Sequence, residues 1–194
     1  MELTDKIQRA LNLAADKHNG QMRKSSGLPY IVHPFSVALI LSEYVQDEDV
    51  IVAGLLHDVL EDVKDYKYED LKKDFGQKIA DIVQGVSEDK DFDNGETDRE
   101  TWQERKDEYL KNLWNDSEKS LLVCAADKIH NLRSMMMIYE EQGAEMWIDF
   151  NAPVEKQTWY YGEVLKILQE KLGGEMVGEL EREFERFKKT VSPK

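Results

Sequence analysis

The sequence is poor in cysteine, in proline and in long hydrophobic runs. The single cysteine, Cys124, excludes an intrachain disulfide, and its apolar neighbours predict a core residue rather than a nucleophile. No apolar stretch approaches the roughly 20 residues that cross a bilayer. The first residues lack a basic region followed by an apolar run, so no signal peptide is predicted. Together these absences predict a cytoplasmic protein.

Positive charge is also in short supply. Forty acidic residues stand against 26 basic ones, which gives a net charge of −14. Such a chain repels polyanions, and we therefore expect no nonspecific binding to nucleic acid or to anionic membranes. A phosphorylated small molecule would need a local basic pocket and a metal ion to offset that repulsion.

Hydrophobic residues recur at helical spacing along nearly the whole chain, and no segment shows the alternation typical of a strand. The pattern predicts an all-α helical bundle. Its central buried helix is expected to start at Asp47 to Asp49 and to run through Val59, because this segment is apolar on most faces. A chain of 194 residues can bury one sizeable core, so we expect a single domain over residues 1–194. The motifs described below occupy a core of about residues 1–140, and C-terminal helices occupy about 144–190. The C-terminal segment either closes the core or mediates a homodimer.

The chain has only four histidines, and two of them stand in segments that suit a metal ligand. His33 precedes Pro34, and His57 is followed at once by Asp58; Asp127 lies in another apolar stretch far downstream. Two imidazoles and two carboxylates form a mixed nitrogen and oxygen ligand set, which suits a divalent transition ion and leaves positions for water and substrate. The pattern predicts metal-assisted hydrolysis. The alternative for His33 is a cap on the helix that Pro34 begins.

A second pair of acidic residues follows the first. Glu61 and Asp62 lie four residues after His57 and Asp58, which stacks each pair one helical turn apart. From that position a carboxylate can orient water at the ion or accept its proton. The alternative is that Glu61 and Asp62 merely end a surface helix.

The helix predicted from Ser117 to about Glu141 carries a further polar face. Asp127, Asn131 and Ser134 fall at i, i+4 and i+7, so Asn131 and Ser134 can hydrogen-bond a sugar or phosphate beside the Asp127 ligand. His130 lies three residues from Asp127, and a hydrogen bond within the core is expected for it.

Two pairs of basic residues are candidates for phosphate binding. Arg23 and Lys24 precede a Ser-Ser-Gly loop, and a loop that folds back would bring them near His33. Arg105 and Lys106 lie in a helix rich in acidic residues, where ion pairing at i,i+4 is expected instead.

Taken together, these segments resemble the HD-domain phosphohydrolases, and specifically the hydrolase domain of the RelA/SpoT family. The HDxxED signature is present at residues 57–62, and the second Asp motif at residues 126–133. The other residues that carry the resemblance are His18, Gly20-Gln21, Arg23-Lys24, Ser26-Gly27, Pro29-Tyr30-Ile31, His33-Pro34, Phe75-Gly76 and Ile82 to Ser87. The match runs in order over about residues 10–135, and four motifs in sequence are far more specific than one.

The resemblance implies removal of pyrophosphate from the 3′ position of the alarmone ppGpp, leaving GDP, by a water molecule that a metal ion activates. The implied ion is most often manganese, and its ligands are His33, His57, Asp58 and Asp127. The residues that activate or position the water are Glu61 and Asp62. The positions that match nucleotide contacts are Arg23, Lys24, Asn131 and Ser134. The chain is too short for the synthetase and regulatory domains of long members, so a stand-alone enzyme like the small alarmone hydrolases is expected. The second motif has Lys128 where long members usually carry arginine.

Two alternatives stay open. The same metal chemistry can act on another nucleotide, such as a dNTP, a nucleoside monophosphate or a phosphorylated dinucleotide cofactor. The second alternative is a non-catalytic module that binds a nucleotide as a sensor. The Glu61 and Asp62 pair argues against a sensor, because binding alone does not require two catalytic carboxylates. The acidic residues 88–96 predict a surface loop, and the aromatic residues beyond about residue 136, such as Trp147 and Tyr160, predict core packing.

Overall fold

The computed structural model describes residues 2–88 and 99–192. Within these two ranges the regular structure is helical, apart from an isolated β-bridge between Met22 and Pro29, and the predicted all-α fold is confirmed. Most of the predicted acidic loop, residues 89–96, lies outside the described residues. The elements in chain order are α1 (Asp5–Lys17), α2 (Val32–Tyr44), α3 (Glu48–Leu56), α4 (Val59–Asp62), α5 (Tyr68–Phe75), α6 (Gln77–Val86), α7 (Trp102–Leu113), α8 (Glu118–Gln142), the 3-10 helix η1 (Gly143–Ile148), α9 (Val154–Lys171) and α10 (Gly174–Val191).

Local sequence sets the bounds of helix α1. The Thr4 side chain caps the helix by accepting a hydrogen bond from the Ile7 N–H at 3.2 Å. Ile7, Ala10 and Ala14 are buried on one face of the helix. Gly20 follows with a φ of +78°, a left-handed conformation that glycine adopts without a side-chain clash. The helix therefore ends just before the loop that carries the first basic pair.

Helix α3 is the centre of the fold. Its residues from Val50 to Leu56 are all buried, and it packs against α1, α2, α6 and α8. Gly54 permits a close approach of α2, because a Cβ at this position would lie 2.4 Å from Leu41 Cδ1. A helix that is apolar on all sides belongs inside a core, as the sequence predicts for this segment.

A break separates α3 from α4 at His57 and Asp58. The sequence predicts one helix that continues through Val59, whereas the structure ends α3 at Leu56 and begins α4 at Val59. Consecutive side chains of a regular α-helix point about 100° apart. At the break, however, His57 Nε2 and Asp58 Oδ1 lie only 3.2 Å apart, so both side chains reach the same point.

Helix α8 runs for 25 residues through the core and carries Cys124, which is buried as predicted. Helix α10 lies against α8 and α9 and buries an apolar stripe that includes Leu180, Phe184 and Phe187. The C-terminal segment thus closes the core, while the homodimer and the extent of the single domain stay predictions. Across the described residues, no helix combines the length and apolarity that crossing a membrane requires.

Candidate metal centre and active site

The four predicted metal ligands converge from three parts of the fold. His33 comes from α2, His57 and Asp58 from the α3–α4 break, and Asp127 from the middle of α8. The Nε2 atoms of His33 and His57 lie 3.0 Å apart. Asp58 oxygens lie 3.3 Å from His33 Nε2 and 3.2 Å from His57 Nε2. Asp127 Oδ1 lies 3.2 Å and 3.8 Å from the same two nitrogens.

The separations among His33, His57 and Asp58 fit one shared divalent ion, while Asp127 Oδ1 lies farther from His57 Nε2, at 3.8 Å. When bonds to nitrogen and oxygen are about 2.1 Å long, neighbouring ligand atoms around an ion lie about 3.0–3.4 Å apart. The donor set, imidazole nitrogen with carboxylate oxygen, is one that transition ions accept. His57 Nδ1 donates a hydrogen bond to the Gly54 carbonyl oxygen at 2.8 Å, which directs the Nε2 lone pair toward the cluster. The residues present therefore suit the implied metal.

The electrostatics of the cluster favour a cation. Burial lowers the pKa of His57, but Asp58 and Asp127 outweigh burial and raise it to about 9. Burial raises the pKa of both carboxyl groups, yet the histidines and, for Asp127, the Lys128 ammonium hold each pKa far below its usual range. The field that favours a proton on His57 also favours a divalent ion, which brings two positive charges to one point.

Neighbouring polar groups hold each of these carboxylates. The Tyr30 hydroxyl donates to Asp58 Oδ2 at 2.7 Å. The Lys128 ammonium donates to Asp127 Oδ2 at 2.6 Å, and the Asn131 amide donates to Asp127 Oδ1 at 2.6 Å. Asn131, a predicted nucleotide contact, thus also orients a predicted ligand. Tyr30 and Lys128 belong to the motifs described above. Residue spacing in the sequence does not predict their hydrogen bonds to Asp58 and Asp127.

His130 makes the core hydrogen bond that the sequence predicts, and its partner is His33. The Nδ1 atoms of the two rings lie 2.7 Å apart. Burial, together with the charges of His33 and Arg23, lowers the pKa of His130 to about 3, so His130 is neutral at pH 7. It can therefore accept a hydrogen bond.

Two cavities meet at this cluster. The inner cavity, of about 140 Å³, is lined by the four predicted ligands. The outer cavity, of about 440 Å³, shares Glu61, Lys128 and Asn131 with it and is also lined by Asp62. Glu61 thus lies where the ligands meet the outer cavity, which is the position that a group acting on water requires.

The predicted nucleotide contacts face the outer cavity, which is lined by Arg23, Lys24, Asn131 and Ser134. Arg23 donates to Asn131 Oδ1 at 3.0 Å, and its guanidinium lies 5.5 Å from the centre of the Tyr30 ring. Ser134 Oγ lies 3.5 Å from His130 Nε2. The structure brings all four residues to one cavity, and their contact with a nucleotide stays a prediction.

The expectation for the second basic pair is wrong. Arg105 and Lys106 do not form i,i+4 ion pairs, because no residue four positions away carries a carboxylate. Both pair instead with the buried carboxylate of Glu88, at 2.7 Å in the case of Arg105. Lys106 lines both cavities, whereas Arg105 lines neither, so the contact with the site belongs to Lys106 alone.

Aromatic and apolar side chains form another wall of the outer cavity. Tyr160 and Tyr161 are buried, as predicted for core residues, and they also line the cavity. The same prediction is wrong for Trp159, which is 37% exposed. The apolar and aromatic lining residues are Met22, Tyr30, Trp102, Met135, Ile138, Phe150, Tyr160 and Tyr161. One cavity therefore combines charged groups with an apolar face, which is the arrangement expected for a small-molecule site.

A chain of hydrogen bonds reaches Asp62 from the end of α1. His18 Nδ1 lies 2.7 Å from Gln21 Oε1, and Gln21 Nε2 donates to Asp62 Oδ2 at 3.0 Å. His18 is 3% exposed, so its ring has little freedom to turn. The sequence marks His18 and Gln21 as motif residues without giving either a role.

Replacing Gln21 by leucine is expected to lower kcat about tenfold or more and to leave KM nearly unchanged. The substitution removes a hydrogen bond to a charged carboxylate, which contributes about 1.5–3 kcal/mol, and lets Asp62 leave its position. Steady-state kinetics checks the result. The matched control is Gln8→Leu, because Gln8 is exposed on α1 and its side-chain amide donates to Asn12 Oδ1 at the surface. Equal kcat values in the two variants would contradict the role.

Comparison with known proteins places this geometry in a family. The profile of the HD domain family matches residues 10–146. The chain is 41% identical over 128 residues to the guanosine-3′,5′-bis(diphosphate) 3′-pyrophosphohydrolase MESH1 of Danio rerio, over 64% of this chain and 66% of that protein. It is 36% identical over 140 residues to the enzyme with the same activity in its name from Aquifex aeolicus (strain VF5), over 71% of this chain and 19% of that protein.

The lengths of these relatives differ widely. The chain spans 17% of the putative GTP diphosphokinase RSH1 of Arabidopsis thaliana, to which it is 33% identical over 166 residues. It thus spans less than a fifth of the long curated relatives that it matches.

Solved structures agree with the profile. One, described as a metazoan ortholog of SpoT that hydrolyzes ppGpp, superposes with a TM-score of 0.77 at 29% identity, over 96% of this chain and 97% of that one. A crystal structure from Listeria monocytogenes EGD-e superposes with a TM-score of 0.66 at 27% identity, over 84% of this chain and 99% of that one. With its helical fold, its converging His and Asp side chains and its matching profile, this chain belongs to the HD domain family and is similar to the (p)ppGpp hydrolases within it.

Proposed function

We propose that the chain is a manganese-dependent hydrolase that removes the 3′-pyrophosphate from ppGpp. The observation that carries the proposal is the convergence of two imidazoles and two carboxylates beside a cavity lined by acidic and basic groups. The imidazole nitrogens lie 3.0 Å from each other and 3.2–3.8 Å from carboxylate oxygens. The names of the relatives from Danio rerio and Aquifex aeolicus support the choice of substrate.

His33, His57, Asp58 and Asp127 would hold the ion. When bound, a divalent ion lowers the pKa of water and offsets negative charge on phosphoryl oxygens. The ligands need little rearrangement for this task, because His57 and both carboxylates are already held by neighbouring hydrogen bonds.

The chemical step is attack of water on phosphorus. The water oxygen forms a bond to the phosphorus attached to the 3′ oxygen, the bond between that phosphorus and the 3′ oxygen breaks, and the 3′ oxygen takes up a proton. Glu61 is placed to accept the proton that the water loses. Asp62, held by Gln21, is placed to orient the water or the substrate beside it.

Basic side chains around the cavities hold the phosphates. Arg23, Lys24, Lys106 and Lys128 line the outer cavity, and they supply the local positive charge that a chain of net charge −14 needs for a polyanionic substrate. The apolar and aromatic side chains that also line this cavity suit a nucleoside base.

A panel of nucleotides tests the substrate. Protein with Mn²⁺ is given ppGpp, a dNTP, a nucleoside monophosphate and a phosphorylated dinucleotide cofactor, and phosphate and pyrophosphate are measured. The proposal expects pyrophosphate from ppGpp, and loss of this activity in His57→Ala. Turnover of another nucleotide alone would keep the metal chemistry and reject the substrate, and binding without turnover anywhere in the panel would favour a sensing module.

Three finer parts of the proposal rest on the resemblance and the sequence. They are the identity of the ion as Mn²⁺, a cytoplasmic location and a homodimer. The ligand set accepts Mn²⁺ and other divalent ions, so activity with Mn²⁺, Mg²⁺ and Zn²⁺ in turn tests the first.

A further inference from the structure

His130 lies behind His33, away from the other predicted ligands. The two Nδ1 atoms are 2.7 Å apart, and the ring centres are 4.8 Å apart. The other nitrogen of His33, Nε2, lies 3.2 Å from an Asp127 oxygen and 3.3 Å from an Asp58 oxygen. The two nitrogens of one ring therefore have separate partners, the carboxylates on one side and His130 on the other.

We propose that His130 is a positioning residue that fixes the tautomer and the ring angle of His33 for metal binding. The inference rests on the metal site of the proposed function and adds to it a residue outside the ligand set. A histidine binds a metal through the lone pair of one nitrogen, so its proton must lie on the other nitrogen. In His33 the proton lies on Nδ1, and Nδ1 of His130 accepts the hydrogen bond from it.

This assignment fixes the proton of His130 as well. His130 accepts through Nδ1 only when its proton is on Nε2, and that nitrogen faces Ser134 Oγ at 3.5 Å. The hydrogen bonds then run in one direction, from His33 to His130 and from His130 toward Ser134. Ser134, predicted as a nucleotide contact, thereby also supports a ligand.

The second imidazole ligand shows the same arrangement. His57 Nδ1 donates to the Gly54 carbonyl oxygen at 2.8 Å while its Nε2 faces the cluster. Both imidazoles thus place Nε2 at the centre and have a hydrogen-bond partner for Nδ1. In His33 that partner is a side chain, so a substitution can remove it without changing a ligand.

The test measures the Kd for Mn²⁺ in metal-stripped protein, by titration without any nucleotide. His130→Phe keeps the size of the ring and removes the acceptor, and it is expected to raise the Kd about 10–100-fold. His130→Asn, whose Oδ1 takes the place of Nδ1, is expected to recover most of the lost affinity. The matched control is Tyr66→Phe, because Tyr66 is also buried, its hydroxyl donates to Asp74, and it lines neither cavity, so the Kd for Mn²⁺ should be unchanged.

The outcomes separate this inference from the proposed function. Circular dichroism first establishes that each variant is folded. An unchanged Kd in folded His130→Phe overturns the inference and leaves the proposed function standing. Equal losses of Mn²⁺ affinity in His130→Phe and His130→Asn, or a similar loss in Tyr66→Phe, overturn it as well, because packing would then be the cause. No Mn²⁺ binding by the unaltered chain overturns both.

Discussion

Glu61→Gln is expected to lower kcat by about 10²–10⁴-fold while Mn²⁺ stays bound. Glu61 lines both cavities, between the predicted ligands and the groups that would hold the phosphates. Glutamine keeps the shape of the side chain but cannot take up a proton, so the substitution removes the proposed acceptor alone. Initial rates of pyrophosphate release give kcat, and titration of the metal-stripped variant gives its Mn²⁺ affinity.

The control for this prediction is the same substitution at an exposed site. Glu69 lies on α5, where its contact with Lys72 spans 3.9 Å at the surface, so Glu69→Gln should keep full activity. Asp62→Asn should also lower kcat, as Glu61→Gln does. Near-normal rates in both Glu61→Gln and Asp62→Asn would rule out the role of this pair.

Asp127→Asn is expected to destabilise the metal-free fold by about 3 kcal/mol or more. Lys128 is buried, and its ammonium donates to Asp127 Oδ2 at 2.6 Å. Asparagine cannot balance the charge of this ammonium, whose other contacts include the rings of Tyr109 and Tyr160 at 5.2 and 5.4 Å from Nζ. Chemical denaturation in the presence of a chelator measures the effect without any contribution from metal.

Two further variants test whether the unbalanced charge of Lys128 causes the loss of stability. The double variant Asp127→Asn with Lys128→Met should recover much of the lost stability and remain inactive, because it removes both charges but not the need for the ligand. Asp47→Asn is the exposed counterpart: the Lys119–Asp47 pair has the same 2.6 Å separation, but its side chains are 43% and 41% exposed. For Asp47→Asn the expected loss in the free energy of unfolding is below about 1 kcal/mol. Equal losses at Asp47 and Asp127 would contradict the argument.

The helical fold and the residues that converge in the cluster can be predicted from the sequence, because both leave a local pattern. Helical periodicity reports which faces are apolar, and the His-Asp pair at residues 57 and 58 belongs to a recognisable motif. The break between α3 and α4 cannot be predicted in this way. The apolar pattern continues through Val59, although α3 ends at Leu56. Contacts with the cluster, rather than periodicity, distinguish this segment from a continuous helix.

Long-range side-chain contacts account for the other differences. Arg105 and Lys106 pair with Glu88, which is 17 and 18 residues away, and no helical spacing rule connects them. His130 lies 97 residues after the ring that it contacts. A motif identifies which residues serve a site, but only the packing of α2 against α8 shows which of these residues support the others.

The most direct test of the central claim is pyrophosphate release from ppGpp by the metal-stripped chain, measured before and after Mn²⁺ is restored. The proposed function predicts no release without metal, and release of equal amounts of pyrophosphate and GDP once Mn²⁺ is present. Release at the same rate without metal, or no release from ppGpp with Mn²⁺ bound, would contradict it.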